Sequence, residues 1–324
     1  MSSGYQKKPV NVVLLGASGT IGRAVLQTLH SRGYRVICPM RAAAAAPAAD
    51  PRVRVENGDL TDPALQSRVM RDAGVVISCL ASRTGTPDDA HAVDHALNSG
   101  FLRAAQAAGV ERFILLSALC VQRPELAFQK AKLAFETELR ASGLNWTIVR
   151  PTAFFKSLSG QMERVRQGKP FLVFGDGTLT ACKPISDADL ARFIVDRVDD
   201  PGSHGAVLPI GGPGPAQTPL EQGQALAEAL GRPFRARHVP VALLDVIIAV
   251  LGAAGLVVPR AREKAELARI GRHYATRSML VWDAAAGCYS DDGTPETGTE
   301  RLEEYFVQLA AGEVVLDRGA HAVF

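Results

Sequence analysis

The sequence predicts an α/β fold: a doubly wound parallel sheet with a smaller, mostly helical C-terminal lobe. Three observations predict it. Short apolar runs alternate with helical segments through the first half of the 324 residues. A glycine-rich turn joins the first apolar run to the first helix. After Gly211 the alternation stops and helical patterns follow one another. The length suits one large α/β unit with an appended lobe. With 47% hydrophobic and 21% charged residues the chain is not globally disordered, and a net charge of +3 is too small for a nucleic-acid footprint.

The strands are expected at Asn11–Leu15, Arg35–Cys38, Val53–Val55, Val75–Cys79, Arg112–Leu116 and Trp146–Val149, each a short apolar run. Helices are expected near Gly19–Arg32, Pro63–Asp72, Ala90–Ala108 and Phe128–Ser142, with Gly33, Gly109 and Gly143 placed to end three of them. A helix at Ala188–Val198 opens on Ser186 and Asp189, an S-x-x-D start, and a last strand follows at Val207–Ile210. Thr218-Pro219-Leu220-Glu221 is a capping box with proline at the first helical position, opening a helix to Leu230. A basic helix near Arg260–Arg272 and a final helix around Glu300–Ala311 complete the lobe. The alanine run Ala42–Ala46, broken by Pro47, reads as a loop.

Val241–Val258 is apolar except for Asp245 and is interrupted by Gly252 and Gly255. It is too short and too broken to span a bilayer, so a buried lobe helix is expected. The open alternative is a greasy surface that touches lipid or an apolar substrate. Met1–Pro9 is short and polar, so no signal or transit peptide is expected. Cys38, Cys79, Cys120, Cys182 and Cys288 are scattered without a C-x-x-C pair, which fits reduced packing thiols in a cytosolic protein. The seven histidines form no His–Cys cluster, so no protein metal site is expected.

Gly16-Ala17-Ser18-Gly19-Thr20-Ile21-Gly22 follows the first strand and opens the first helix with the spacing G-x-x-G-x-x-G. In a Rossmann sheet Gly16 turns the chain, Gly19 admits a diphosphate, and Gly22 lets the helix sit close with its N-terminus toward the phosphates. No acidic residue follows the second strand. Arg41 stands there instead, a cation for a 2′-phosphate, so NADPH is expected over NADH, the alternative being a solvated loop residue. Asp59, with Leu60 beside it, suits an adenine contact, the alternative being a helix-cap cluster. Ser18, Thr20 and Ile21 of the loop, Leu80 and Ala81 after the fourth strand, and Pro151, Thr152, Ala153 and Phe154 after the sixth are expected to line the rest of the cofactor. Residues 1–155, completed by about 186–211, thus form an NADPH-binding domain. Residues 156–185 and 212–324 are left as a substrate-binding lobe.

Ser117 follows the fifth strand, where short-chain dehydrogenases carry an active-site serine. Their Y-x-x-x-K pair should follow on the next helix, but the segment reads Phe128-Gln129-Lys130-Ala131-Lys132. Lys132 remains to hold the nicotinamide ribose hydroxyls, the alternative being a helix-surface charge. Phe128 has no proton to give, so carbonyl–alcohol chemistry with a tyrosine acid is not expected.

Four further runs are distinctive: Arg150-Pro151-Thr152-Ala153-Phe154-Phe155-Lys156-Ser157-Leu158, Cys182-Lys183-Pro184-Ile185-Ser186, Val207-Leu208-Pro209-Ile210-Gly211-Gly212-Pro213-Gly214 with Thr218–Gly223, and Ile270-Gly271-Arg272-His273-Tyr274-Ala275. With these the chain resembles, from its first strand almost to Phe324, the NADPH-dependent divinyl chlorophyllide 8-vinyl reductases, an atypical branch of the short-chain dehydrogenases. The resemblance implies an oxidoreductase acting on a CH–CH group. Its substrate would be divinyl chlorophyllide or protochlorophyllide, and its product an ethyl group at C8, in chlorophyll or bacteriochlorophyll biosynthesis. It also makes the missing tyrosine normal for the family. The short N-terminus departs from plant members, which carry transit peptides, and implies a bacterial cytoplasmic protein, with contact to the photosynthetic membrane left open.

A large flat ring with one propionate would then meet Phe154 and Phe155 as an aromatic wall, the alternative being core packing for both. Lys156, Lys183, Arg272 and Tyr274 are candidates for the propionate or polar rim. The proton would come from water, Ser117, Lys132 or Tyr274. A second class of 8-vinyl reductase uses flavin and iron–sulfur clusters, which five unclustered cysteines do not support. Other readings are a non-catalytic NADPH-binding regulator, an assembly subunit of a respiratory complex, and a reductase of another double bond.

Overall fold

β1 (Asn11–Leu15) reads NVVLL, and its four apolar residues are all buried. Val12 and Leu14 face one apolar cluster, Val13 and Leu15 the other. A strand buried on both faces belongs at the centre of a covered sheet, and there it lies. In this computed structural model, which describes residues 10–41 and 50–314, β1 leads through the glycine loop into α1 (Thr20–Ser31). There follow β2 (Arg35–Met40), β3 (Val53–Asn57), α2 (Pro63–Met70) and β4 (Val75–Ser78). A single turn, α3 (Pro87–Asp89), runs through a π-helical segment, Ala90–Leu97, into α4 (Asn98–Ala108). β5 (Arg112–Leu116), α5 (Ala127–Arg140) and β6 (Asn145–Pro151) follow.

Beyond β6 come α6 (Phe155–Leu158), α7 (Met162–Arg166), β7 (Phe171–Phe174), α8 (Asp187–Asp196) and β8 (Ala206–Ile210). The chain ends with α9 (Pro219–Ala229), β9 (Ala236–Val239), α10 (Val241–Ala254), α11 (Pro259–Thr276), β10 (Val281–Asp283), β11 (Cys288–Ser290) and α12 (Leu302–Ala311).

The main sheet has the order β3-β2-β1-β4-β5-β6-β8, every pair parallel. α1 and α8 cover one face through Val25, Leu29, Leu190 and Ile194. α2, α4 and α5 cover the other through Val69, Phe101 and Phe135. The strand order reverses between β1 and β4, and in such sheets ligands bind beyond the strand C-termini at that point. A third apolar cluster, with Phe155, Phe171, Leu226 and Phe306, joins α6, α7, β7, α9 and α12. The Thr218–Glu221 capping box is formed as expected and stabilises α9 by about 1 kcal/mol.

The C-terminal part is mostly helical, as expected, and carries two short pairs of strands besides: β7 pairs with β9 in parallel and β10 with β11 antiparallel. These strands have three or four residues each, too few for a period to declare itself. One expectation is corrected: 241–258 is not a buried helix. Only Leu244 of α10 is buried, because α10 packs chiefly on α11 and turns its other side outward. Gly255 lies so near α11 that a Cβ there would stand 3.1 Å from Arg262 Cα. Among the described residues no helix is long and apolar enough to cross a membrane. The expectations for Met1–Pro9 and for Ala42–Ala46 with Pro47 fall outside the described residues.

Candidate active site

The glycine loop lies at the strand-order reversal, and two glycines have steric reasons to be there. Gly16 has φ +80°, and a Cβ on it would meet the Cys79 carbonyl oxygen at 2.8 Å, at the end of β4. A Cβ on Gly22 would strike the Gly16 carbonyl, so α1 sits directly against the turn. The Gly19 N–H donates to Gly16 O at 3.0 Å and closes the loop. Gly19 also caps α1 without a side chain, and the first turn holds no acidic residue. The first-turn N–H groups and the positive end of the helix dipole are therefore not met by an acidic side chain of their own turn. Lys156 adds a cation there, its Nζ donating to Thr20 Oγ1 at 2.9 Å.

The remaining cofactor candidates ring this loop. Arg41 is exposed just past β2. Asp59 Oδ1 accepts from the Thr61 N–H (2.9 Å) and hydroxyl (2.7 Å), which hold its carboxyl below the usual range. That oxygen serves its own turn, while Asp62 caps α2 through the Ala64 N–H. Ser18 and Ala81 are exposed, Thr20 and Leu60 half-buried, Ile21 and Leu80 buried. Pro151, which ends β6, and Thr152 are buried, and Ala153 and Phe154 half-buried. The Thr152 hydroxyl donates to Met279 O at 2.8 Å, and Ala153 O accepts from Ile185 N–H.

Lys132 projects from α5 to the ends of β4 and β5, where its charge acts on the Cys79 and Cys120 thiols; burial pushes the former up to about 12 and also raises the latter. Its Nζ pairs with Asp94 Oδ1 at 2.9 Å. Asp94 stands in the π-helical segment with its side chain fully buried, and its Oδ2 has no partner. π-Helical turns of this kind re-aim side chains and recur at functional sites.

α11 closes the other side. A Cβ on Gly85 would meet Ile270 Cδ1 at 2.8 Å and Phe128 Cδ1 at 3.6 Å, so both side chains converge over this glycine. Gln129 Nε2 donates to His273 Nε2 at 2.9 Å, and the Tyr274 hydroxyl lies 3.9 Å from Cys120 Sγ. The Tyr274 side chain as a whole is 37% exposed, but its hydroxyl end packs against Cys120, and that local packing raises the phenol above its ordinary value, so it keeps its proton.

Several expected site residues are engaged elsewhere. The Ser117 hydroxyl donates to buried Glu136 (2.7 Å), which pairs with Arg150. Lys183 is buried between Asp291 (3.0 Å) and Glu296 (2.7 Å), which neutralise it. Arg272 pairs with Asp245 and ties α11 to α10. Phe155 is core, 3% exposed and stacked near Tyr305. Lys156 stands at the glycine loop, not at an outer rim. Sequence reasoning missed Asp94, Glu136, Gln129 and His273. A cavity of about 160 Å³ lined by Val165, Phe171 and Phe234 shares no residue with this constellation.

The sheet, the loop and its uncapped helix define an NAD(P)H-binding Rossmann protein, and residues 16–201 match a family described as NAD(P)H-binding. An NADPH-dependent quinone oxidoreductase from Escherichia coli, solved with NADPH, shares the fold: TM-score 0.67, 19% identity, 92% of this chain and 99% of that one. Among sequences, the chloroplastic divinyl chlorophyllide a 8-vinyl-reductase of Arabidopsis thaliana is 42% identical over 93% of this chain and 77% of its own length. That of Oryza sativa subsp. indica is 45% identical over 92% and 78%. The chain belongs to the divinyl chlorophyllide a 8-vinyl-reductase family.

Proposed function

We propose that this protein uses NADPH to reduce the C8 vinyl group of a divinyl chlorophyllide-type pigment to ethyl, as an oxidoreductase of chlorophyll or bacteriochlorophyll biosynthesis. The observation that carries this reading is the match to four relatives of that name at 42–45% identity across most of the chain. The glycine cradle, which side chains at Gly16 or Gly22 would fill, fits the diphosphate of the cofactor. Bound NADPH supplies the hydride, and one proton completes the ethyl group.

The chain's own residues do the rest. The first-turn N–H groups of α1, with Lys156, hold the diphosphate, and Arg41 takes the 2′-phosphate. Lys132, steadied by Asp94, holds the nicotinamide ribose hydroxyls. Phe128 and Phe154 offer apolar walls to the flat ring, and the lobe of segments 156–185 and 212–324 reaches the substrate through Ile270 and Tyr274 of α11. Tyr274 keeps a proton at its phenolic oxygen and is the donor we favour. Negative charge spread over a macrocycle asks less of that acid than a localised alkoxide would, which suits a site with phenylalanine in the usual tyrosine position. The exposed apolar side of α10 supports a peripheral position at the pigment-bearing membrane.

Purified protein incubated with NADPH and divinyl chlorophyllide should yield the monovinyl pigment by chromatography. Absence of that product with authentic substrate overturns the reading in favour of a non-catalytic NADPH-binding protein. Protochlorophyllide in a parallel reaction decides the preferred pigment.

A further inference from the structure

Leu243, Val246, Ile247 and Val250 recur at helical spacing along α10 and are all exposed. The chain then turns through Leu256 and Val257, which are 88% and 85% exposed, and Val258, also exposed. Three exposed cations follow at once, Arg260, Arg262 and Lys264, with Glu263 the one acid among them. Cations at a helix N-terminus oppose the helix dipole, so their position costs α11 stability. No ion pair joins any of the three to a described residue, whereas Arg269, Arg272 and Arg277 further along the helix are paired with Glu266, Asp245 and Glu125.

We infer that the α10–α11 hairpin docks on an anionic lipid bilayer. The tip Leu256–Val258 enters the interface, and Arg260, Arg262 and Lys264 meet the headgroups. The inference rests on the peripheral position proposed above and names its residues and its lipid chemistry. An apolar surface with a basic margin is what interfacial elements present to anionic lipid. A second copy of the chain suits the surface less well, since a two-fold contact through this tip would bring the two sets of cations together. α11 lies between α10 and the residues around Phe128, so docking leaves the constellation around Lys132 uncovered while bringing it near the phase where apolar pigments collect.

The test is sedimentation of the full chain with vesicles of phosphatidylcholine plus phosphatidylglycerol, and with phosphatidylcholine alone. Binding is expected only to the first, weakening as salt rises. Removing two surface cations costs roughly thirtyfold in partitioning, so Arg260→Glu with Arg262→Glu should lose at least that much. Leu256→Asp with Val257→Asp should abolish binding. All variants should keep wild-type turnover on pigment presented in detergent, which also shows that they fold.

No binding by the wild type, or binding indifferent to these substitutions, overturns the lipid surface. So does a dimer in size-exclusion chromatography that the Leu256→Asp, Val257→Asp variant dissolves. Wild-type turnover without lipid binding overturns the surface alone. Lipid binding without turnover overturns the reductase reading and leaves the surface standing.

Discussion

Lys132 Nζ lies 2.9 Å from Asp94 Oδ1, an ion pair between α5 and the π-helical segment, with the aspartate side chain out of contact with solvent. A buried carboxylate of this kind is tolerable only while its cation is present. Asp94→Leu or Lys132→Met alone should each destabilise the fold by about 3 kcal/mol in denaturant titrations. The double variant Asp94→Leu, Lys132→Met should recover most of that stability, since neither charge is then stranded, yet remain defective in NADPH turnover. Recovery of both stability and turnover would show the pair to be architectural only.

How far the site was legible in the sequence depended on whether each contact is local. The glycine loop is read from a single stretch, because strand, turn and helix follow one another and Gly22 meets Gly16 within one turn. Lys132 is legible through its spacing from Phe128. Asp94 is not: it sits in an ordinary helical pattern, and only the packing of the π-helical segment against α5 makes it a partner. Glu136 likewise reads as a surface i,i+4 pair with Arg140, although its second cation, Arg150, comes from β6 and its hydrogen-bond donor from Ser117. α10 was misread for a different reason. Apolarity in a helix signals a need for cover, but what supplies that cover, protein or lipid, lies outside the helix.

Arg41 carries the expected preference for a 2′-phosphate. Charge-assisted hydrogen bonds contribute about 1.5–3 kcal/mol each. Arg41→Ala should therefore raise KM for NADPH about ten- to a hundredfold in steady-state assays while leaving KM for NADH unchanged. Equal effects on the two nucleotides would remove the assignment.

Tyr274 tests the proton. Its hydroxyl end faces Cys120 Sγ at 3.9 Å, and this packing holds the phenol above its ordinary value and so protonated. Loss of a positioned general acid costs about 100-fold or more. Tyr274→Phe should lower kcat by that much with NADPH affinity, followed by nucleotide fluorescence, unchanged. A variant with wild-type kcat would assign the proton to water.

His273 sets a stability limit on the acid side. Its Nε2 accepts from Gln129 Nε2–H (2.9 Å), and this assigns the ring proton to Nδ1, facing Glu125 Oε2 at 3.4 Å. Burial is the largest influence and lowers its pKa from 6.5, outweighing the Glu125 carboxylate, which raises it. A histidine with a depressed folded value stabilises the fold fully above its unfolded value and loses that contribution as pH falls through 6.5 toward the folded value. Protonation would also set an Nε2–H against the Gln129 amide donor and loosen α11 from α5. Between the two values one added proton costs about 1.4 kcal/mol per pH unit. Thermal unfolding of the wild type should therefore shift to lower temperature below about pH 6.5. His273→Gln, which cannot take up that proton, should be less stable at neutral pH but flatter across this window. Parallel profiles for the two proteins would place the acid sensitivity on other groups.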